Sequence, residues 1–171
     1  IPGSLDLLTP ILNDNKILSP PYFYYFRDSG TYEALNINWH VIATDGNKII
    51  PKLDKTKLNI CLFHEEINGT KLTPQLVAEG YKLNLSDFKQ YDVSLGGHIH
   101  IRQIYNNVAY CGSLIQQNIG ESHVGHGFLV WDIKKSGLKT NLRITEHDIY
   151  NEEGFVRIVI DKNGKDKTSL P

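Results

Sequence analysis

The sequence predicts a mixed α/β fold, and three features of the chain lead to that prediction. Short apolar runs bounded by glycine or polar residues are typical of buried strands, and these runs outnumber every other pattern. Two segments, 4–14 and 72–90, carry apolar residues at helical spacing. The chain has 171 residues, of which 40% are hydrophobic, so it is long enough for one domain with a buried core.

The N-terminal part of the chain predicts one helix and then strands. In SLDLLTPILND (4–14), Ser4 is a suitable N-cap, so we expect a short helix there. PPYFYYF (20–26) is an aromatic run that begins with prolines, which favours an edge or entry strand. The segment 31–44 alternates polar and apolar residues and predicts two short strands or one hairpin, followed by a turn at 45–48.

Strands dominate the remainder of the chain. KLNICLF (57–63) and YDVSL (91–95) have the length and branching of buried strands. Between them, 72–90 predicts helix, with Gly80 as a helix stop. Four further strands are expected in the runs VAYCGS (108–113), GFLVWDI (127–133), LKTNLRIT (138–145) and EGFVRIVI (153–160).

Composition places further limits on the protein. The net charge of −1 shows no electrostatic footprint for DNA, RNA or an anionic membrane. We expect Cys61 and Cys111 to be two buried, reduced thiols, which suits a cytoplasmic location. No apolar run approaches the length of a membrane span, and no signal peptide is visible. The chain has no methionine, which indicates a processed or truncated piece.

Three histidines follow predicted strands. NICLF runs directly into His64, and DVSL runs into Gly96, Gly97 and His98, with His100 two residues further on. Because ligand-binding groups of layered α/β proteins lie at the carboxyl ends of strands, we expect these imidazoles to face a common crevice. The glycines would leave room for a substrate or ion at the backbone. This pattern favours metal ligation over the alternative of core or surface histidines.

The residues alone predict an incomplete metal site. Three neutral imidazoles carry no formal charge, which is poor for holding two cations against an anionic substrate. A dinuclear phosphoesterase site needs carboxylates, one of them bridging. Glu65 and Glu66 lie beside His64, but no Asp-x-His or Gly-Asp element precedes them.

Three stretches of the chain resemble a known family: FHEEING (63–69), GGHIHIRQ (96–103) and YCGSLIQQNIGESHVGHGFLVWDIKK (110–135). They are similar to the calcineurin-like metallophosphoesterase superfamily, and within it to the SbcD-type DNA repair and recombination nucleases of bacteriophages and large DNA viruses. The resemblance implies the C-terminal portion of a four-layer metallophosphoesterase β-sandwich flanked by helices. It covers roughly residues 4–160, so we expect a partial phosphoesterase domain over 1–160 and a polar tail at 161–171.

The resemblance also implies roles for individual residues. His64 and His98 match ligands of one metal, and His100 matches a ligand of a second, the ions being two divalent metals, typically Mn²⁺. Gln116, Gln117 and Asn118 would either line a phosphodiester path or cap a loop. We favour structural roles for His40, Ser113 and His126, whereas the catalytic histidine belongs to N-terminal motifs that the chain lacks.

The resemblance implies part of a metal-dependent DNA nuclease in the cytoplasm, here of a virus-infected host, with DNA and a coiled-coil ATPase subunit as partners. Alternatives are a phosphoesterase for small substrates and a non-catalytic module. Without the N-terminal motifs, we expect the chain to be inactive alone. Because the strands at 57–63 and 91–95 would then have unpaired edges, we also expect it to need the missing N-terminal segment or a second copy of itself.

Overall fold

The computed structural model describes residues 28–44, 53–122, 124–151, 154–155 and 158–168. These residues form ten strands and one short 3₁₀-helix at Leu85–Phe88. The strands are β1 (Gly30–Ala34), β2 (Ile37–Ile42), β3 (Leu58–Phe63), β4 (Ile67–Asn68), β5 (Leu83–Asn84), β6 (Val93–Gly96), β7 (Gln103–Tyr105), β8 (Val108–Tyr110), β9 (Gly127–Ser136) and β10 (Lys139–Asp148).

A six-stranded mixed sheet in the order β1-β2-β3-β6-β8-β7 forms the centre of the described structure. Strands β2, β3, β6 and β8 run parallel to one another, and β1 and β7 pair antiparallel at the two edges. The parallel strands all end at the same edge of the sheet. That edge therefore collects the residues that follow Phe63, Gly96 and Tyr110.

The strand predictions are confirmed where polar and apolar residues alternate clearly along the chain. Segment 31–44 forms the β1–β2 hairpin, in which Leu35 and Asn36 both have positive φ, as a two-residue type I′ turn requires. The strands expected at 127–133 and 138–145 are the paired strands β9 and β10. The predictions for 4–14, 20–26 and 45–48 lie outside the described residues.

One face of the six-stranded sheet packs into an aromatic core. Phe63 on β3 lies 4.6 Å from Phe88 and 5.4 Å from Tyr110, measured between ring centroids. Phe88 and Tyr110 are both fully buried. The remaining buried members of this cluster are Ile42, Cys61, Ile67, Leu83, Tyr91, Ile99 and Val108. The 3₁₀-helix is short, but it places Phe88 at the centre of the core.

Two clusters of charged side chains connect the β9–β10 hairpin to the sheet. At one end, Asp92 accepts hydrogen bonds from Lys135 at 2.8 Å and from Thr140. Burial raises the pKa of Asp92, but the bonds from these donors and from the Asn59 N–H outweigh it and hold the pKa below its usual range. At the other end, Arg102 donates to Glu146 at 2.8 Å and to Asp148. The hairpin is thereby held at both ends.

The expected fold class, an α/β portion of a β-sandwich flanked by helices, is wrong for the described part of the chain. It is nearly all sheet, and its helical content is the single 3₁₀-helix. In place of the predicted helix at 72–90, the first part of the segment pairs antiparallel with residues 69–71 through a bridge from Lys71 to Val77, in which Ala78 donates to Thr70 and Gly69 donates to Ala78. The rest of the segment contains β5 and the 3₁₀-helix. Pro74 and Gly80 leave too short an uninterrupted stretch for a helix, so backbone pairing satisfies the amides instead.

Three further expectations need correction. Strands β3 and β6 are interior strands with partners on both sides, so the premise of unpaired edges at 57–63 and 91–95 is wrong. At 153–160 the described residues form an isolated bridge from Ile160 to Asp166 rather than a strand. Cys61 is buried, and burial raises its thiol pKa to about 12, but Cys111 is exposed.

Among the residues described, no helix has the length and apolar character needed to cross a membrane.

His40 lies in a buried polar network within the sheet. Its Nε2 is 2.9 Å from Asn59 Oδ1, and its Nδ1 is 2.9 Å from Thr31 Oγ1. The Asn59 oxygen accepts, so Nε2 carries the proton and Nδ1 accepts from the threonine hydroxyl. Burial lowers the pKa of His40 more than the hydrogen bond to Asn59 raises it. The structural role expected for His40 is confirmed.

We predict that the neutral form of His40 stabilises the fold. Since the folded-state pKa is lowered, this contribution is fully present above the ordinary histidine pKa of about 6.5 and is lost as the pH falls below that value. One proton accounts for a slope of at most about 1.4 kcal/mol per pH unit. Urea denaturation between about pH 8 and pH 5 should show a shallower decline for His40→Gln than for the native chain. Equal slopes of unfolding free energy against pH for the two chains would contradict the prediction. His147→Gln, at an exposed histidine, is the control and should keep the slope of the native chain.

Candidate functional site

His64 and His98 meet at the carboxyl edge of the sheet. β3 and β6 are adjacent and parallel, with Phe63 opposite Gly96. The N–H of Gly97 donates to the Phe63 carbonyl at 2.9 Å, which continues the ladder to the last residue before each histidine. The two imidazole rings lie 5.2 Å apart between centroids at 66°. The predicted convergence of these two histidines is confirmed, whereas their ligation of a metal stays a prediction.

The two glycines between β6 and His98 make room for side chains of the protein itself. A Cβ on Gly96 would lie 2.6 Å from the Phe63 ring and 2.8 Å from the Tyr110 ring. A Cβ on Gly97 would lie 2.6 Å from His64 Nδ1. The sequence suggested that this space serves a substrate or ion. The structure instead fills it with the aromatic core and with His64.

His98 has an unusual backbone conformation and a defined partner. Its φ of 80° lies in the left-handed region, which a β-carbon disfavours. Such conformations persist when surrounding contacts hold them, and they are frequent at functional sites. Nε2 of His98 lies 2.9 Å from Glu66 Oε1. In the neutral ring this nitrogen therefore carries the proton, and Nδ1 is left with a lone pair.

Burial and the neighbouring His98 keep His64 in its neutral form. Burial is the larger cause of its lowered pKa, and repulsion from His98 adds to it. Glu66 acts in the opposite direction without reversing the shift. A neutral imidazole has a free lone pair, which is the form that binds metals.

His100 lies in the same region of the structure and is half-exposed. Together with His98 it lines a cavity of about 750 Å³. Other walls come from the segment 71–74 and from a loop that we call the 112–126 loop. Nδ1 of His100 lies 2.7 Å from Glu121 Oε1. Each of the two cavity histidines is therefore held by a carboxylate.

The 112–126 loop is built around buried polar contacts. Ser113 Oγ lies 2.9 Å from Nδ1 of buried His126, whose Nε2 donates to the Ser122 carbonyl at 2.6 Å. The Ser113 N–H donates to the His100 carbonyl at 3.1 Å, which ties the loop to the segment carrying the histidines. The structural roles expected for Ser113 and His126 agree with these contacts.

The three residues proposed to contact substrate lie in different surroundings. Gln116 is buried, and its side chain bonds the backbone of Glu121 and Phe155. Gln117 is exposed, and its backbone N–H donates to Glu121. Asn118 lines the cavity and donates to Glu121. The geometry assigns Gln116 to bracing the loop and leaves Asn118 as the cavity-facing member of the three.

The described residues do not form a complete metal shell. In the part of the chain that the structure describes, no group of three or more His, Cys, Asp and Glu side chains is arranged to hold a metal ion. His64 and His98 bring two imidazoles together, and His100 bonds Glu121 separately. The donor types suit a divalent cation, but further ligands are needed.

The carboxylates of the site were missed as functional residues from the sequence. Glu66 is close in sequence to His64, yet its bond is to His98, 32 residues away. Glu121 is 21 residues from His100. Burial raises the pKa of Glu121, but hydrogen bonds from His100 and from the Gln117 N–H outweigh it and lower the pKa. The sequence signal for each was only a carboxylate near a histidine or glycine, which is common in loops.

Comparison with known proteins agrees with a nuclease-related, viral connection. The chain is 30% identical over 182 aligned residues to an uncharacterised protein of Acanthamoeba polyphaga mimivirus, an alignment that covers 98% of this chain and 13% of that protein. It is 28% identical over 92 residues to the SbcD component of the SbcCD nuclease of Staphylococcus epidermidis, which covers 50% of this chain and 25% of that component. The chain therefore spans a quarter or less of these relatives. No protein-family model matches it.

We predict that Gly96→Ala destabilises the protein by about 1–3 kcal/mol, because the new methyl group would overlap the Phe63 and Tyr110 rings. Urea denaturation followed by tryptophan fluorescence measures the free energy of unfolding. Gly30→Ala is the matched control, since its Cβ would meet the Tyr32 ring at an ordinary 3.6 Å. Equal stability of both variants would show that the core does not need a glycine at position 96.

Proposed function

We propose that this chain is part of a metal-dependent DNA nuclease in which His64, His98 and His100 are metal ligands. The observation that carries the proposal is the contact between His64 and His98 at the ends of adjacent parallel strands. The similarity to the staphylococcal nuclease component over half of the chain supports the same function.

The donor set supports a divalent cation such as Mn²⁺. Imidazole nitrogen together with carboxylate oxygen is a mixed shell that manganese accepts. A pair of such cations would supply activated water and neutralise charge on a phosphodiester. The chain's own contribution is to keep His64 neutral and to hold His98 and His100 in place through Glu66 and Glu121.

The partners follow from the same proposal. DNA is the substrate, and a coiled-coil ATPase subunit is the protein partner, as expected for the family that the sequence resembles. The remaining metal ligands and the catalytic histidine come from chain outside the described residues, either a longer parent protein or a separate segment. The short coverage of both relatives supports a longer parent.

Binding of Mn²⁺ tests the proposed site. We expect the chain to bind Mn²⁺ detectably by electron paramagnetic resonance, and His98→Ala to weaken binding by about tenfold or more. His147→Ala is the control, because His147 stacks on Phe128 in the β9–β10 hairpin instead of lying with the other histidines. If no Mn²⁺ binds, or if both variants bind equally well, the proposed ligands are wrong.

The isolated chain should not cleave DNA. Two cations held close together need carboxylates to offset their repulsion, and the described residues do not provide a complete shell. Incubation of the purified chain with linear DNA and Mn²⁺ should leave the DNA intact. Cleavage that His98→Ala abolishes would show that this chain alone contains the whole active site.

A further inference from the structure

Glu121 accepts hydrogen bonds from three well-placed donors, one in the segment that carries His100 and two in the 112–126 loop. Its Oε1 faces His100 Nδ1 at 2.7 Å and also the side-chain amide of Asn118. Its Oε2 faces the backbone N–H of Gln117 at 3.0 Å and, at a longer 3.4 Å, the hydroxyl of Ser113. The Glu121 side chain is only 13% exposed, so water contributes little to satisfying this carboxylate. Its position is therefore determined by protein donors.

Two of the three closer partners of Glu121 can act only as hydrogen-bond donors to it. The Gln117 N–H belongs to the backbone and can only donate. Asn118 uses its amide oxygen to accept from the Gly120 N–H at 2.9 Å, so its nitrogen must face Glu121. The imidazole of His100 can present either a proton or a lone pair at Nδ1. An ionised carboxylate accepts only, and it therefore requires a proton at this nitrogen.

We propose that Glu121 is a positioning residue that holds His100 in the tautomer with the proton on Nδ1, which leaves Nε2 as the nitrogen with the lone pair. Glu121 belongs to the 112–126 loop, and two of its donors, the Gln117 N–H and the Asn118 side-chain amide, come from the same loop. They hold the carboxylate in place against His100. This inference rests on the proposed function in one respect: the Nε2 lone pair is then the donor offered to a metal. A carboxylate behind an imidazole also increases its strength as a ligand.

Substitution of Glu121 by glutamine makes a specific prediction about His100. The new amide nitrogen cannot face the Gln117 N–H, because both groups donate. The position of Oε1 is the more favourable one for it, because the Asn118 amide that donates there belongs to a side chain, which can rotate away, and His100 is able to accept. We therefore expect Glu121→Gln to shift the proton of His100 from Nδ1 to Nε2, with no change in the number of side-chain heavy atoms.

Long-range ¹H–¹⁵N correlation spectra of the chain report directly which ring nitrogen carries the proton. The spectra are recorded at about pH 8.5, where an ordinary imidazole is neutral, and the His100 signals are assigned by their loss in His100→Gln. We expect protonated Nδ1 in the native chain and protonated Nε2 in Glu121→Gln. Glu146→Gln is the matched control: Glu146 lines the same cavity, but its carboxylate bonds Arg102. This control should leave His100 unchanged.

The native spectrum decides the proposal even if Glu121→Gln does not fold. A proton on Nε2 of His100 in the native chain overturns it, and so does a folded Glu121→Gln chain that keeps the proton on Nδ1. Titration with Mn²⁺ separates this inference from the proposed function. If the tautomer responds to Glu121 as expected but no Mn²⁺ binds, the positioning role stands and the metal site is wrong.

Discussion

The pairing of β3 with β6 is the interaction on which the rest of the site depends. Neighbouring strands lie about 4.8 Å apart, so residues that directly follow two paired parallel strands have to share one small volume. The bond from the Gly97 N–H to the Phe63 carbonyl continues this pairing beyond the last ladder residue. His64 and His98 consequently lie in ring contact. The pairing requires a residue without a β-carbon at position 96, because the Phe63 and Tyr110 rings occupy that space.

Partly buried carboxylates attach the outer parts of the chain to this sheet. Asp92 binds Lys135 and Thr140 of the β9–β10 hairpin, and Glu121 binds His100 from within the 112–126 loop. Removing a carboxylate from water costs free energy unless hydrogen-bond donors surround it. Each of these two carboxylates therefore restricts the positions of its donors. At Asp92 these bonds hold the β9–β10 hairpin against the sheet, and at Glu121 they orient the imidazole of His100.

Much of the strand content was predictable because alternation of polar and apolar residues reports a local property of the chain. The strands of the β1–β2 and β9–β10 hairpins follow this pattern and were expected, although their pairing was predicted only as one of two alternatives at 31–44. The helix expected at 72–90 was wrong, since the segment has the composition of a helix but is divided by Pro74 and Gly80. The backbone of Ala78 pairs instead with Gly69 and Thr70. The spacing of apolar residues does not reveal such pairing.

The sequence by itself determined that His64 and His98 follow strands and that those strands are buried. A short apolar run that ends at a polar residue identifies such a strand from local residue properties alone. It also contained the motifs that resemble a nuclease family. Only the tertiary structure decided that β3 and β6 are interior neighbours, that Gly96 and Gly97 accommodate the protein's own rings, and that Glu66 and Glu121 bond His98 and His100. The two carboxylate–histidine bonds join residues 32 and 21 positions apart, and no local pattern records which distant partner satisfies a half-buried polar group.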